Sequence, residues 1–367
     1  MDATNTPIVG EFNTWLEQLV AGEGSDLHVK VGSPPMIRLP QGLHRLERSP
    51  VSQEETSAIA DGIVPEDRKG KFAENGEVDF AYSLHDIGRF RVNVFRQRGS
   101  ISMVLRKLRF GGPSFHEIGL PDVVRSIAEE HRGLILVTGP TGSGKTTTLA
   151  AIIDYINRTK AVHIVTIEDP IEVLHKDDKA SINQREIGND TQDFLSALRA
   201  ALRQDPDVIL IGEMRDTETV RAAIQAAETG HLVLSTLHTV DATETVNRVI
   251  DFFPPFQQKQ VRLALAGTLR GIICQRLVPT VDGRRAPALE ILVNTGRVAE
   301  RIADPDKTSE IKDVIREGDF YGMCTFDQSL LQLVKDRAIT IEDAMKAVSD
   351  QHDFQLAMQQ AGVTVPV

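Results

Sequence analysis

One eight-residue segment constrains this chain more than any other. Residues 139–146 read Gly-Pro-Thr-Gly-Ser-Gly-Lys-Thr, which matches the phosphate-binding pattern G-x-x-x-x-G-K-[ST]. That pattern requires a strand before it and a helix after it. Residues 133–138 (GLILVT) form a short apolar run typical of a buried strand, and residues 146–157 have helical periodicity. Strand, glycine loop and helix in this order predict an α/β fold with a nucleoside triphosphate site.

The chemistry expected of this loop follows from its residue types. Glycines let backbone N–H groups curve around phosphate oxygens, and the N-terminus of the following helix adds its positive dipole end. Lys145 is expected to reach the β- and γ-phosphates, and the Thr146 hydroxyl to hold Mg²⁺. A glycine-rich turn without a nucleotide is the alternative, and the strand and helix around the loop disfavour it. The predicted phosphate-binding residues are Gly139, Pro140, Thr141, Gly142, Ser143, Gly144, Lys145, Thr146 and Thr147.

Length and composition indicate a soluble protein with more than one domain. At 367 residues the chain exceeds one ordinary hydrophobic core, and its shares of hydrophobic residues (41%) and charged residues (25%) are typical of globular proteins. No apolar run approaches the ~18–20 residues that a membrane span needs. Residues 1–12 have neither the basic nor the apolar region of a signal peptide.

Cysteine content and net charge argue against two classes of protein, those with a cysteine-based metal site and general nucleic-acid binders. Cys274 and Cys324 are too few for a metal-binding quartet and show no C-x-x-C spacing, so reduced thiols in a cytoplasmic protein are expected. The net charge of −11 argues against a general nucleic-acid binder. The densest basic segment, residues 89–109, alternates cations with apolar residues. That alternation is typical of the solvated face of an antiparallel sheet, with a cationic binding surface as the alternative.

The first third of the chain has the pattern of a small α+β domain. Residues 1–10 are expected to form a loose leader, and residues 11–108 a domain built on an antiparallel sheet with a helical segment at 53–72. Residues 109–114, RFGGPS, predict a linker because adjacent glycines and a proline interrupt both kinds of periodicity. The strands of this domain are predicted at residues 25–31, 78–82, 90–95 and 101–105.

From residue 115 to residue 367 the pattern changes to strands that alternate with helices, which predicts a parallel sheet. Beyond Pro254 and Pro255 the chain is predicted to be mostly helical, with amphipathic helices at 327–335 and 340–348. The buried strands of the parallel sheet are predicted at residues 134–138, 163–167, 208–211 and 232–236.

Acidic residues can be sorted by the end of the strand they occupy. Ligands of an open α/β sheet bind at the carboxyl ends of its strands. Glu168 directly follows one predicted strand, and Glu213 follows another after one glycine. Asp205 and Asp207 precede a strand, so they are expected to be caps or turn formers.

A P-loop site uses one acid to hold Mg²⁺ and another to orient or deprotonate the attacking water. Glu213 is predicted to hold the metal through water, because glycine and a longer acid replace the usual strand-ending aspartate. Glu168 is predicted to be the general base. For either acid, a salt bridge to an arginine such as Arg215 is the structural alternative.

Two histidines flank the last predicted strand of the parallel sheet. His231 and His238 are seven residues apart, a span of roughly 23 Å in a regular strand, so both cannot contact one phosphate. His238 is at the carboxyl end and is predicted to sense the γ-phosphate. By position, His231 is predicted to be a core or subunit-contact residue.

Three further segments, taken with the P-loop, resemble a known family. Residues 166–175 (TIEDPIEVLH) resemble the acidic box of the secretion and type IV pilus ATPases. Residues 198–216 (LRAALRQDPDVILIGEMRD) resemble their Walker B segment, and residues 226–239 (AAETGHLVLSTLHT) their histidine box. The segments GSDLHVKVGSPPMIRL, GRFRVNVFRQRG and YGMCTFDQSLLQLV are similar to those of the retraction, or twitching-motility, branch. The resemblance extends from about residue 20 to residue 350.

This resemblance implies a PAS-like N-terminal domain, a RecA-like ATPase domain, and six subunits that close a ring. It implies hydrolysis of ATP with Mg²⁺ to drive pilin disassembly into the inner membrane, by a cytoplasmic protein docked on an inner-membrane platform protein. Arg91 and Arg106 are then predicted to reach a nucleotide at a domain or subunit boundary, with Arg96 behind them. His231 is predicted to lie between domains or subunits.

Two departures from the family bear on the output of the motor. The retraction branch often carries a segment close to A-I-R-N-L-I-R-E, whereas residues 310–317 read Glu-Ile-Lys-Asp-Val-Ile-Arg-Glu. The cysteine-rich zinc insertion of extension and secretion members is missing from this sequence, which favours retraction. The alternatives are a secretion-type or pilus-extension motor and, from another class, a RecA-like nucleic-acid translocase.

Overall fold

The structure, a computed structural model, describes residues 7–348 and 350–363. The chain divides into two compact units between Arg109 and Phe110, within the segment predicted as a linker. In the described residues, no helix has the length and apolar character needed to cross a bilayer.

The N-terminal unit is a six-stranded antiparallel sheet in the order β3-β2-β1-β6-β5-β4, with helices packed on one face. The predicted loose leader, residues 1–10, was wrong for residues 7–10, because they begin helix α1 and bury Val9 in the core of this unit; residues 1–6 lie outside the described residues. Strands β2 and β3 were not predicted. The elements are α1 (Pro7–Ala21), β1 (Asp26–Lys30), β2 (Met36–Leu39), β3 (Gly42–Arg45), α2 (Gln53–Ile63), α3 (Glu66–Asn75), β4 (Glu77–Leu84), β5 (Gly88–Gln97) and β6 (Ser100–Lys107).

The basic segment at residues 89–109 forms part of this sheet. Phe90, Val92 and Val94 point into the core, whereas Arg91 lies exposed on the opposite face. Arg91 is directly opposite Arg106 in the pairing of β5 with β6. The alternation of the sequence thus puts Arg91 and Arg106 on the solvated face, as predicted for this segment, whereas Arg96 is two residues beyond Val94 on the face of the core residues.

The C-terminal unit alternates strands and helices. Short 3₁₀ turns at Pro305–Glu310 and Asp319–Tyr321 connect its later helices. Its elements, with the short strand at the division of the chain, are β7 (Arg109–Phe110), α4 (Asp122–Ala128), β8 (Gly133–Thr138), α5 (Lys145–Thr159), β9 (His163–Glu168), β10 (Val173–Leu174), β11 (Ser181–Glu186), α6 (Phe194–Ala201), β12 (Val208–Ile211), α7 (Thr217–Glu228), β13 (Leu232–Leu237), α8 (Ala242–Asp251), α9 (Pro255–Thr268), β14 (Leu269–Pro279), β15 (Arg285–Val293), α10 (Gly296–Ala303), α11 (Ile311–Arg316), α12 (Phe326–Lys335), α13 (Ile341–Ala347) and α14 (Gln351–Gln360).

The main sheet of this unit has seven strands in the order β11-β9-β12-β13-β8-β14-β15. Strands β11 to β14 in this order pair in parallel, and only β15 pairs antiparallel, with β14. Hydrophobic cores cover both faces: Leu134 and Leu136 of β8 enter one core, and Ile135 enters the other. All four predicted parallel strands are confirmed, and their carboxyl ends lie at one edge of the sheet.

The prediction that the chain becomes mostly helical beyond Pro254 and Pro255 was wrong for residues 269–293. These residues form β14 and β15, and β14 lies between β8 and β15. Most of its side chains are buried, on both faces of the sheet, so its sequence lacks the alternation of a half-exposed strand. The two predicted amphipathic helices beyond it are confirmed as α12 and α13.

Candidate nucleotide-binding and hydrolysis site

The P-loop connects β8 to α5, and its glycines adopt backbone conformations that other residues rarely take. Gly139 has φ 142°, Gly142 has φ 79° and Gly144, the N-cap of α5, has φ 93°. A Cβ atom on Gly139 would lie 2.3 Å from the carbonyl oxygen of Gln275 and 2.7 Å from Ser143 Oγ. The close approach of β14 therefore excludes any side chain at residue 139 and fixes the curve of the loop.

Gln275 on β14 is hydrogen-bonded to the P-loop and to α5. It was not predicted from the sequence as a site residue. Its Nε2 donates to Ser143 O at 2.6 Å, and its Oε1 accepts from Thr148 Oγ1 at 2.8 Å. The side chain is buried, so these bonds satisfy both ends of an amide that would be costly without partners. A glutamine inside the apolar run LRGIICQRLVP was the available signal.

Lys145 occupies the first position of α5 and turns back along the loop. Its Nζ donates to Gly139 O at 2.8 Å and to Pro140 O at 3.1 Å. Burial lowers the pKa of Lys145, and the nearby Glu213 carboxylate opposes that shift. The ammonium group thus lies within the loop, where phosphate oxygens would be bound.

A cavity of about 520 Å³ joins the loop to the ends of the neighbouring strands. Five predicted residues, from four different segments, line it: Lys145, Thr146, Glu168, Glu213 and His238. The strand register explains this, since Ile167 pairs with Ile211 and Thr138 pairs with Leu237, which aligns the residues that follow each strand. The other predicted loop residues on its wall are Thr141, Gly142, Gly144 and Thr147.

Glu213 is an ion-paired acid. Its carboxylate lies 2.8 Å from Arg215 Nη2 and 3.2 Å from His238 Nε2. The predicted alternative of a salt bridge to Arg215 therefore exists for Glu213. It coexists with the position of Glu213 on the cavity wall, where 21% of the side chain is accessible to solvent.

Among the described residues, the side-chain hydrogen-bond partners of Glu168 are uncharged. Thr166 Oγ1 and Gln184 Nε2 donate to its Oε1, at 2.6 and 3.1 Å. Burial raises the pKa of Glu168, those two hydrogen bonds oppose the shift, and the carboxylates of Glu172 and Glu186 add to it. A carboxylate with a raised pKa and no cationic partner has the properties of a proton acceptor.

Several predicted residues lie outside this cavity. His231 is at the amino end of β13, with Nδ1 2.9 Å from Ala226 O. At that same end Asp207 accepts from His163 N at 2.8 Å, and Asp205 adopts φ 55°, so both aspartates are the turn-forming residues predicted.

The predicted arginines belong to the N-terminal unit. Arg106 Nε forms a 2.9 Å ion pair with Asp26, and the Arg96 guanidinium lies 5.6 Å from the ring centroid of Phe72. Arg91 is exposed.

Metal binding at this site would depend on few protein ligands. Among the described residues, no group of three or more His, Cys, Asp or Glu side chains is arranged to hold a metal ion. Mg²⁺ commonly keeps several waters and takes only one or two protein ligands beside substrate phosphates. Thr146, exposed at the start of α5, and Glu213 are the residues on the cavity wall that fit this pattern.

Fold and site together define a P-loop nucleotide hydrolase with a RecA-like sheet. A sequence profile described as "Type II/IV secretion system protein" matches residues 70–363. The type IV pilus retraction ATPase PilT of Pseudomonas aeruginosa is 42% identical over 330 residues, which is 90% of this chain and 96% of PilT. The type IV pilus ATPase PilU of the same organism is 41% identical, over 95% of this chain and 91% of PilU.

A solved structure agrees with these sequence matches. The crystal structure of the pilus retraction motor PilT with bound ADP superposes with a TM-score of 0.85 at 44% identity, covering 93% of this chain and 98% of that one. The chain belongs to the type II/IV secretion system protein family and is an ATPase of its pilus retraction group. The resemblance identified in the sequence and the predicted fold class are thereby confirmed.

Proposed function

We propose that this protein is the ATP-hydrolysing subunit of a hexameric motor that powers type IV pilus retraction. The observation that carries the proposal is the single cavity in which the P-loop lysine, two acids and a histidine converge. The names of relatives that align over most of the chain support pilus retraction as the output.

In this proposal the loop residues 139–147 bind the phosphates of ATP, and Lys145 neutralises the β- and γ-phosphate oxygens. Mg²⁺, when bound, supplies charge neutralisation at the same oxygens. Thr146 would hold it directly, and Glu213 would hold it through water. Arg215 and His238 hold the carboxylate of Glu213, and in this proposal His238 responds to the γ-phosphate.

Glu168 acts as the general base in this proposal. The attacking water gives a proton to the Glu168 carboxylate while its oxygen forms the new bond to the γ-phosphorus and the bond to ADP breaks. Glu168 suits the role better than Glu213, because its partners are neutral and its pKa is raised.

The remaining parts of the proposal concern assembly. Six copies form a ring at the cytoplasmic face of the inner membrane, docked on a platform protein, with pilin handled indirectly. Arg91 and Arg106 act on a neighbouring nucleotide, with Arg96 behind them, and His231 lies between domains or subunits. No nucleic acid is involved, so single- or double-stranded DNA should leave ATPase turnover unchanged.

Substitution of the two acids tests the chemistry. Glu168→Gln should bind ATP with unchanged affinity and lose hydrolysis by about 10²–10⁴-fold, the usual contribution of a positioned base. Glu213→Gln should weaken the Mg²⁺ dependence of binding. Steady-state turnover and binding of a fluorescent ATP analogue measure both. If Glu168→Gln stays active while Glu213→Gln binds but does not hydrolyse, the two roles are reversed.

Deletion of the gene in its host tests the output of the motor. Hyperpiliated, non-motile cells are expected, because pili would still extend but not retract. Cells without pili would instead identify an extension motor and overturn the proposed direction of movement.

A further inference from the structure

Gln184 of β11 is partly buried beside Glu168 and donates to its carboxylate, and the mechanism proposed above gives it no role. We propose that Gln184 is a positioning residue for hydrolysis: its amide holds one carboxylate oxygen of Glu168 and leaves the other oxygen to receive the proton. The inference rests on the proposed role of Glu168 as the general base.

The two oxygens of Glu168 have different surroundings. Oε1 accepts from both Thr166 Oγ1, at 2.6 Å, and Gln184 Nε2, at 3.1 Å. Oε2 accepts no hydrogen bond from any residue that the structure describes. Two donors on one oxygen fix the rotation of the carboxylate, so the lone pairs of Oε2 have a defined direction in the cavity.

Strand pairing explains why the two donors converge. β11 runs parallel to β9, and Gln184 is the register partner of Thr166. Side chains at paired positions point to the same face of a sheet, and Glu168 is two residues beyond Thr166 on that face. The geometry therefore comes from the sheet itself and not from a mobile loop.

Gln184 also anchors the segment that closes the cavity beside Glu168. Its Nε2 donates to Val173 O at 2.8 Å, and its Oε1 accepts from His175 N at 2.8 Å. Val173 and His175 line the same cavity as Glu168. All hydrogen-bonding groups of the amide are used, so one side chain links the carboxylate, the cavity wall and β11.

A neutral donor suits this position because of the charges around Glu168. Burial raises the pKa of Glu168, and the carboxylates of Glu172 and Glu186 add to that shift. A cation in place of Gln184 would lower the pKa and weaken the base. An amide fixes the direction of the carboxylate with a much smaller effect on its basicity. The other charged or titratable groups on the cavity wall are Lys145, Asp169, His175, Glu213, Arg215, His238 and Arg285.

The test compares four single variants of the full-length protein, and one double variant, for ATP turnover, nucleotide affinity and thermal unfolding. Gln184→Met keeps the size of the side chain and removes all three of its hydrogen bonds. Gln184→Glu keeps an acceptor for His175 N but replaces the donor with an acid, and it serves if the methionine variant does not fold. Asn183→Ala is the matched control, since Asn183 is exposed on the same strand and bonds only to His163 Nε2, at 2.7 Å. Glu168→Gln is the fourth variant.

For Gln184→Met we expect kcat to fall roughly tenfold, which is part of the rate factor of about 10²–10⁴ that a positioned base contributes. Nucleotide affinity should stay within about twofold of wild type. The acid limb of the kcat profile should move to higher pH, because loss of a hydrogen bond to the carboxylate raises the pKa of Glu168. Gln184→Glu should move that limb further, since it adds a like charge. In a Glu168→Gln background, Gln184→Met should cause no further loss of kcat.

Three results would overturn the inference, and they are distinguishable. If Glu168→Gln hydrolyses ATP at the wild-type rate, the proposed base is wrong and the inference fails with it. If Glu168→Gln is inactive but the Gln184 variants behave like Asn183→Ala, the inference alone fails. If the Gln184 variants lose affinity as much as turnover, with an unmoved acid limb, Gln184 only supports the segment 173–175.

Discussion

At the scale of the residue, the side chains that contact Glu168 and Glu213 distinguish the roles of these two acids. Their positions in the sheet do not, because both follow a parallel strand. Glu213 and Glu168 both follow parallel strands and line one cavity. Glu213 is paired with Arg215 and His238, whereas Glu168 is held by a threonine and a glutamine. An ion-paired carboxylate suits an electrostatic role, and a buried carboxylate with neutral partners suits proton transfer.

Lys145→Ala should abolish productive binding of ATP, because it removes the cation placed within the phosphate loop. Its Nζ bonds only to Gly139 O and Pro140 O among the described residues, so little effect on folding is expected. Equilibrium binding of a fluorescent ATP analogue measures the loss. Lys335→Ala, at an exposed lysine near the end of α12, is the control. Unchanged turnover in Lys145→Ala would remove the P-loop from the mechanism.

At the scale of the element, β14 accounts for the main error of the sequence-based fold. It lies between two other strands, and most of its side chains are buried. Its sequence therefore lacks the alternation of apolar and polar residues by which a half-exposed strand can be predicted. The strands predicted correctly are short apolar runs bounded by turn residues, which remain recognisable from local sequence. Gln184 and Gln275 were missed as well, since both are polar residues whose partners come from other strands or loops.

Gln275→Leu should weaken both the fold and nucleotide binding. Leucine would leave Ser143 O and Thr148 Oγ1 without their partner, and a buried polar group without a partner costs about 1–3 kcal/mol. Chemical denaturation and nucleotide titration measure the two effects. Gln332→Leu, at an exposed glutamine of α12, should change stability by no more than about 0.5 kcal/mol. Equal stability of the two variants would contradict the supporting role of Gln275.

Glu290 of β15 should make stability depend on pH. It is buried, its Oε1 accepts from Ala242 N at the start of α8, and burial raises its pKa. The folded state then binds the proton more tightly than the unfolded state, so this contribution to stability is complete below the unfolded pKa of about 4.3 and is lost as pH rises through the folded pKa. Glu290→Gln keeps the acceptor and removes the charge.

The difference in melting temperature between Glu290→Gln and wild type should therefore increase from pH 5 to pH 8 in favour of the variant. About 1 kcal/mol corresponds to about 2–4 °C in a domain of 150–250 residues. Glu244→Gln, at a residue near the start of α8 whose backbone N–H bonds to Asp241, is the control. A pH-independent difference would show that the charge of Glu290 costs nothing.

At the scale of the whole molecule, each unit has its own hydrophobic core, and two of the predicted in-trans arginines, Arg91 and Arg106, lie on the solvated sheet face of the N-terminal unit. Arg91 is exposed and lies directly opposite Arg106 on the adjacent strand, and Arg106 is already paired with Asp26. Among the residues that the structure describes, the Arg91 guanidinium has no acidic partner, and such a group on a strand suits contact with phosphate oxygens of another nucleotide.

Mixed rings test this arrangement. Subunits that carry Arg91→Ala and subunits that carry Lys145→Ala should each be inactive alone and recover part of the turnover when co-assembled, because each then supplies what the other lacks. In-trans arginines contribute about 10³–10⁵ in rate in related chemistry, so the recovery should be measurable. Arg45→Ala, on β3 of the same sheet, is the control. An active Arg91→Ala ring would exclude that role for Arg91.

The sequence by itself determined the P-loop, the parallel strands around it, and the edge at which Glu168, Glu213 and His238 lie. Each of these depends on residues that are neighbours in the chain: a strand, the turn that ends it, and the side chain that follows. Only the tertiary structure decided which other groups reach that edge. Thr148 and Gln275 are 127 residues apart, and Glu168 and Gln184 are 16 residues apart on different strands. Such contacts depend on the order and register of strands in the sheet, which local periodicity does not contain.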